Sequence, residues 1–178
     1  MKNGSNVVNV EEVREFFFEG ASKEFAAGKV KKLAIKELPG YKLFFHENEG
    51  GTYVYADVYY LSPTTGRFKC DPTIWRRDTQ DLLIPTWGMQ NHGIWRVIDK
   101  RLTSFLKAAL LDAYENKVFY GGRGRAMFPH KPLKVPEYHS LKYQCSTLKN
   151  DFTHFHSDEY IEENGEVLYE GECAGFSL

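Results

Sequence analysis

The sequence predicts a single α+β domain over residues 1–178, with a curved, mainly antiparallel sheet of about eight strands against two principal helices. Two stretches, 9–27 and 95–116, carry apolar residues at helical spacing. Several shorter stretches alternate apolar and polar residues and are rich in Tyr and Phe, which is typical of strands with one buried face. A chain of 178 residues, 42% of them apolar, is long enough to bury a core of its own.

The first helix is predicted from a capping signal followed by a Phe-rich stripe. Asn9 is followed three positions later by Glu12, which is the spacing of a capping box. Apolar residues then recur at helical intervals as far as Gly28, which we expect to end the helix. The polar residues 1–8 are predicted to be a flexible arm.

Alternating stretches predict the strands of the first half. The clearest lies at 52–61, and a shorter one at 41–46 precedes it across a Gly-rich turn. Short strand-like pieces follow, including 73–76, and residues 82–90 are predicted to be extended.

The second half starts with the more regular helix, at 95–116, where apolar and charged residues lie on opposite faces. A long basic loop rich in Gly and Pro is predicted at 117–136, and loops of that length usually serve a purpose. Strands are then expected at 138–148, 151–161 and 167–176, the last two joined by an Asn-Gly turn.

Composition limits the function classes. The formal net charge of -1 gives the chain no overall attraction to nucleic acid or to an anionic membrane. No apolar run approaches the ~18 residues of a membrane span. Three cysteines without a CxxC pair argue against a disulfide framework and a zinc cluster, so we expect a cytoplasmic protein without a cofactor.

A weak internal repeat links the two halves. Trp87 precedes Gly93 by the same spacing that separates Tyr169 from Gly175, and an alternating aromatic strand comes earlier in each half. The pattern indicates a duplicated αβ unit sharing one core. Chance similarity is the alternative, and the sequence leaves both open.

Three motifs carry a family resemblance: Tyr55-Ala56-Asp57-Val58-Tyr59, the stretch from Pro85 to Gly93, and Arg123-Gly124. With them, the chain resembles over most of its length a bacterial family of domains of unknown function. Those domains occur alone or C-terminal to XRE-type helix-turn-helix regulators. The resemblance implies a role in transcription regulation and no particular activity.

A ligand pocket between sheet and helix is the leading site hypothesis, because aromatic side chains surround two charged groups in the predicted arrangement. Asp57 and Arg123 are the expected polar anchors. Asn91 and His92, which precede Gly93, are expected at the turn toward the second helix. The alternative is that these aromatic residues form ordinary core and that Asp57 is a structural hydrogen-bond anchor. The candidate ligand-binding residues are Tyr55, Asp57, Tyr59, Trp75, Trp87, Asn91, His92 and Arg123.

We therefore expect a non-catalytic ligand-binding or sensory module that recognises a small molecule or a protein partner. No catalytic residue is assigned, because GxSxG and P-loop motifs are absent. One alternative is a small enzyme that uses Asp57 or His92 as acid or base. Another is nucleic-acid binding through the basic segment 117–149, which could instead pair with the acidic C-terminal segment, within the domain or across a homodimer.

Two histidines raise the question of a metal. His154 and His156 are two residues apart, so in a strand they share one face. A third ligand would have to come from His139, Asp158 or Glu159. Ordinary exposed strand residues are the simpler interpretation, and we expect no metal site.

Overall fold

The computed structural model describes residues 8–23, 33–36, 38–129 and 134–178. The helices are α1 (Val10–Ala21) and α2 (Lys100–Glu115). The strands are β1 (Leu33–Ala34), β2 (Tyr41–Glu47), β3 (Tyr53–Leu61), β4 (Arg67–Arg77), β5 (Leu83–Trp95), β6 (Met127–Phe128), β7 (Leu141–Asp151), β8 (His154–Glu163) and β9 (Glu166–Ser177).

The strands form one open sheet in the order β1-β2-β3-β4-β5-β9-β8-β7-β6, and every neighbouring pair is antiparallel. The predicted α+β class with an antiparallel sheet is confirmed. The described residues form nine strands, because the two-residue strands β1 and β6 add to the predicted set. The two pieces expected around residue 72 are one strand, β4.

Pro72 lies inside β4, where a sequence reading places a break. On β3 it is opposite Asp57. On β5 it has no partner, because the ladder is interrupted between the pairs Cys70–Asn91 and Thr73–Gly88. Pro lacks a backbone N–H, so it fits at a position where the ladder to one neighbour is interrupted.

The start of α1 follows the capping signal. The Asn9 side chain accepts a hydrogen bond from the Glu11 N–H at 3.1 Å and donates one to Glu12 Oε1 at 2.9 Å. The helix is described as far as Ala21. The predicted cap at Gly28 and most of the predicted arm at 1–8 lie outside the described residues.

The prediction that α2 starts at 95 is wrong. Trp95 ends β5, where it is paired with Tyr169 and its N–H donates to the Gly66 carbonyl oxygen. The helix starts at Lys100, with Asp99 as the N-cap accepting from the Arg101 N–H at 2.7 Å. An aromatic residue at helical spacing was assigned to the helix although it belongs to the preceding strand.

Both helices cover the same side of the sheet, here called the inner face. The largest buried side chains lie between helices and sheet, among them Phe17 of α1, Phe105 of α2 and Trp87 of β5. Each contributes about 1.5–3 kcal/mol by leaving water. The opposite, outer face is covered by none of the described elements and carries exposed residues such as Phe45 and Phe176. Neither helix in the described part of the chain has the length and apolarity needed to cross a membrane.

Candidate functional site

A cavity of about 50 Å³ lies between the inner face and the helices. Strands β2 to β5 and β9 form its floor, and α1, α2 and the loop after α2 close it. Most of the wall is apolar or aromatic, as in small-molecule sites. The lining residues with hydroxyl, thiol or charged groups are Tyr55, Asp57, Tyr59, Cys70, Tyr114, Arg123 and Tyr169.

Tyr59 and Asp57 bring polar groups to the β3 side of the cavity. They alternate with outward-facing residues, so both point inward from the same strand. Burial, together with the nearby Cys70 and Asp57, raises the pKa of Tyr59 to about 12. The Tyr59 hydroxyl therefore stays protonated at neutral pH and can donate a hydrogen bond.

Arg123 supplies a positive charge on the side of the cavity away from β3. The buried carboxylate of Glu159 holds its guanidinium in place. Arg123 Nε donates to Glu159 Oε1 at 3.0 Å. Tyr169 also donates to Oε1, at 2.5 Å, and Tyr143 donates to Oε2 at 2.7 Å. Asn91 Nδ2 completes the set at 3.3 Å from Oε1. Four donors converge on one carboxylate, which satisfies a charge that would be costly to bury alone.

The charges of this Glu159 cluster set the protonation states of Arg123, Tyr143 and Tyr169. Burial alone would lower the pKa of the Arg123 guanidinium, but the negative charge of Glu159 raises that pKa well above its usual value. Burial and the Glu159 charge also raise the pKa of Tyr143 and of Tyr169 well above the usual range. Arg123 is therefore a permanent cation, and both phenols are permanent donors to Glu159.

The Gly-rich loop after α2 inserts Arg123 into this position. Gly121 and Gly122 have positive φ angles of 58° and 83°, which glycine adopts without strain. A side chain at Gly122 would collide with Phe155, whose ring lies 2.3 Å from an added Cβ. The Gly124 N–H donates to the Tyr143 hydroxyl at 3.3 Å, which ties the loop to the Glu159 cluster. This loop is thus built to place a guanidinium, not to cradle a phosphate at the surface.

Arg123 lines the cavity, and within the described part of the chain only its Nε has a protein partner. Nε is engaged by Glu159, whereas Nη1 and Nη2 donate to no protein atom among the described residues. The planar Nη pair is the fork that binds carboxylates and carbonyl groups. A largely apolar cavity with such a fork can hold a small molecule by its polar end.

Four of the eight predicted site residues line the cavity: Tyr55, Asp57, Tyr59 and Arg123. Asn91 lies behind the wall, where it is fully buried and orients Glu159. The strand alternation and the Arg-Gly loop motif were sufficient to bring this half of the set together.

The structure places the two predicted tryptophans elsewhere. Trp87 is fully buried in the core, stacked on Phe152 with 5.2 Å between ring centroids, and its Nε1 donates to the Phe152 carbonyl oxygen. Trp75 is paired with Val54 and so lies on the outer face, opposite to Tyr55. Trp87 contributes packing to the fold, and Trp75 does not face the cavity.

His92 also lies on the outer face. Its side chain is 60% exposed and its Nε2 is 3.6 Å from Glu172 Oε2. Along β5 it alternates with Asn91, which points inward. Asp57 and His92 are therefore on opposite sides of the sheet, and no single acid–base site can contain both.

Glu159, the residue that organises the cluster, was absent from the predicted site. Its signal was available, because Phe155, Ser157 and Ile161 occupy the buried register of β8 and Glu159 falls between them. A carboxylate in the apolar register of a strand indicates a buried, paired group. The tyrosines that bind it, Tyr143 and Tyr169, lie on the two neighbouring strands, each opposite Ile161 and on the same face as Glu159.

Several basic residues in the described part of the segment 117–149 form ion pairs within the chain. Arg125 Nε is 2.5 Å from Asp112 Oδ2, Lys142 Nζ is 3.3 Å from Glu162 Oε1, and Lys117 forms an ion pair with Glu15. These pairs, with Arg123 on Glu159, use cations that a nucleic acid would need. The geometry thus gives no support to the nucleic-acid alternative.

No protein-family model matches the chain, and a comparison with curated proteins finds no match.

Proposed function

We propose that the chain is a non-catalytic module that binds a small molecule in the cavity between the inner face and the helices. The observation that carries the proposal is the position of Arg123. Arg123 lines a largely apolar cavity, its Nε is fixed on the buried Glu159, and its Nη atoms donate no hydrogen bond to a described residue. Donors without a protein acceptor bind water or a ligand, so a ligand acceptor at Arg123 is favoured.

The chemistry of the wall defines the ligand class. A carboxylate or a carbonyl group matches the planar Nη fork of Arg123. The aromatic and aliphatic side chains around it, such as Tyr55 and Leu110, suit an apolar body. The Asp57 carboxylate on the β3 side disfavours a second anionic group at that end.

The size of the cavity adds a condition. A volume of about 50 Å³ holds a few water molecules and is smaller than a site for a drug-sized ligand. A larger molecule enters only if part of the wall moves. Binding coupled to such a movement is what a sensory module requires.

Native mass spectrometry of freshly purified protein tests the proposal first, because it detects a co-purified small molecule and reports the oligomeric state. Thermal unfolding then compares small carboxylates with alcohols of the same skeleton, such as benzoate with benzyl alcohol. We expect the carboxylates to raise the Tm of the wild type more than the alcohols do.

Two variants localise the effect. Arg123→Lys keeps the charge but loses the fork, so the preference for carboxylates is expected to disappear. Arg125→Lys, on the same loop but bound to Asp112, is the matched control and is expected to keep the preference. Ala21→Leu fills the cavity from α1 and provides a second test if Arg123→Lys does not fold. An absence of both bound mass and carboxylate preference in the wild type overturns the proposal.

We also propose that this module works in the cytoplasm as part of transcription regulation. The regulatory role rests on the family resemblance alone. The cellular location is supported by three buried cysteines, none of which forms a disulfide, as is usual in a reducing compartment.

We further propose that the two halves are copies of one αβ unit. Each half has a helix on the inner face and a run of antiparallel strands, and the last strand of each half meets the other at the centre of the sheet. In that central pair Gly93 is opposite Gly171, and Met89 is opposite Gly175.

A further inference from the structure

We propose that the outer face of the sheet carries a site for a divalent transition metal, formed by His156, Asp158 and Glu172, with His92 as a fourth ligand. The strand register brings these residues together. His92 of β5 is opposite Glu172 of β9, and Glu172 is opposite Asp158 of β8. His156 precedes Asp158 by two residues on β8 and shares its face.

The spacing of the donor atoms of His156, Asp158 and Glu172 fits one ion, and His92 lies beside Glu172. One ligand atom from each of His156, Asp158 and Glu172 lies within 4.8 Å of the other two. His156 Nε2 is 2.9 Å from Glu172 Oε1, and His92 Nε2 is 3.6 Å from the other oxygen, Oε2. A tetrahedral ion with bonds of about 2.0–2.2 Å holds its ligand atoms about 3.3–3.6 Å apart. Small rotations of exposed side chains are enough to reach that geometry.

The local charge balance calls for a cation. Both carboxylates lack a Lys or Arg partner among the described residues: Glu172 contacts the two imidazoles, and Asp158 forms no hydrogen bond or ion pair there. Arg67 and Arg96 line the same groove of the outer face as these carboxylates, but neither is paired with Glu172 or Asp158. The three lysines on the neighbouring strands β4 and β7 also have other partners, Lys142 contacting Glu162. Lys69 Nζ is 2.9 Å from Asp71 Oδ2, and Lys149 Nζ is 2.8 Å from His154 Nδ1. A bound metal ion would supply the missing positive charge.

The strands that carry the proposed metal site are held rigidly, and the site is open to solvent. β5, β9 and β8 are interior strands, each paired on both sides, so their backbone positions are well defined. The side chains remain solvent-accessible, and a groove of about 850 Å³ on the outer face is lined by His92, Asp158 and Glu172. An ion in this place would keep a side open to water or to a further ligand.

The donor set selects the class of metal. Two imidazole nitrogens with two carboxylate oxygens suit Zn²⁺ and similar first-row ions. Ca²⁺ and Mg²⁺ prefer oxygen ligands alone. The site is separate from the inner cavity, because Glu159, which a sequence reading also offers as a ligand, points to the opposite face and binds Arg123.

Calorimetric titration with ZnCl₂ tests the proposal on protein first treated with a chelator and dialysed. The wild type is expected to bind one equivalent, and Co²⁺ is expected to give the visible absorption of a low-symmetry site. His156→Ala should weaken binding by at least about tenfold, since even changes outside the ligand shell cost 10–100-fold.

His154→Ala is the matched control, because His154 lies on the same face of the same strand and contacts Lys149 instead of the cluster. It should change zinc affinity by less than about twofold, within the error of such titrations. Asp158→Asn provides a second loss of ligand, and the Tm of each variant confirms folding. Equal weakening by His154→Ala and His156→Ala, or the absence of one-to-one binding in the wild type, overturns the proposal.

Discussion

Gly93 and Gly175 meet the same obstruction from opposite strands at the centre of the sheet. A Cβ added at Gly93 would lie 2.1 Å from the carbonyl oxygen of Glu170, and one added at Gly175 would lie 2.6 Å from that of Gly88. Each glycine also faces a phenylalanine on its other neighbour, Phe68 and Phe155 respectively. The close approach of β5 and β9 therefore depends on both glycines.

Gly93→Ala and Gly175→Ala are each expected to lower the free energy of unfolding by about 1–3 kcal/mol, because backbone atoms must shift to admit the methyl group. Urea denaturation measures the change. Gly88→Ala on β5 is the control, since an added Cβ there meets nothing within 4 Å. It should stay within about 0.5 kcal/mol of the wild type. Equal stability of all three variants would show that the sheet centre tolerates expansion.

Removing the charge of Glu159 should destabilise the fold strongly. Glu159→Gln keeps an acceptor for the tyrosines but leaves the Arg123 guanidinium buried without a counter-charge, at a cost of about 3–5 kcal/mol. Adding Arg123→Met removes that isolated charge. We expect the double variant to be more stable than Glu159→Gln alone in urea denaturation. A double variant that loses the sum of both single effects would contradict this account of the pair.

Acid should weaken the fold through Glu163. Arg101 donates to both of its oxygens, at 2.6 and 2.7 Å, and Ser140 donates to one of them. These bonds lower the pKa of Glu163 from 4.5 to about 2. Because the folded pKa is the lower one, the stabilisation is complete above pH 4.5 and is lost as the pH falls toward 2.

The measurement is the urea midpoint between pH 5 and pH 2 for the wild type and Glu163→Gln. The wild type should lose stability more steeply over that interval, and the two curves should converge at its acid end. Glu162→Gln, which changes the neighbouring carboxylate beside exposed Lys142, is expected to follow the wild type. Parallel curves for the wild type and Glu163→Gln would exclude this role for the Arg101 pair.

The cysteines should be unreactive until the chain unfolds. All three are buried, and burial with the nearby Glu159 charge raises the pKa of Cys145 to about 11. Burial likewise raises the pKa of Cys173 well above its usual value. A thiol reagent such as DTNB at pH 8 is expected to react slowly with native protein and with all three thiols in guanidinium. Fast reaction of a native thiol would indicate an opening of the core or of the Cys70 cavity wall.

Local signals accounted for much of the fold. Asn9 was recognisable as the cap of α1 because its short polar side chain precedes an apolar stripe and can accept from a free helix N–H. Period-two alternation likewise predicted that Asp57 lies on the inner face. Long-range effects were beyond such signals. The irregular register between Ile74 and Trp75 and the pairing of Trp95 with Tyr169 depend on strands distant in sequence. The Arg123–Glu159 pair joins a loop to a strand in the same way.

The position of β9 between β5 and β8 also matters for how the chain is made. β5 is complete at Trp95, but the strand that pairs with its free edge starts only at Glu166. At roughly 5–20 residues per second, a ribosome needs on the order of ten seconds to cover that distance. During that time a long strand with an unpaired edge is presented to other chains. The yield of folded protein on expression should therefore depend strongly on temperature and on chaperone supply, even though the finished sheet is stable.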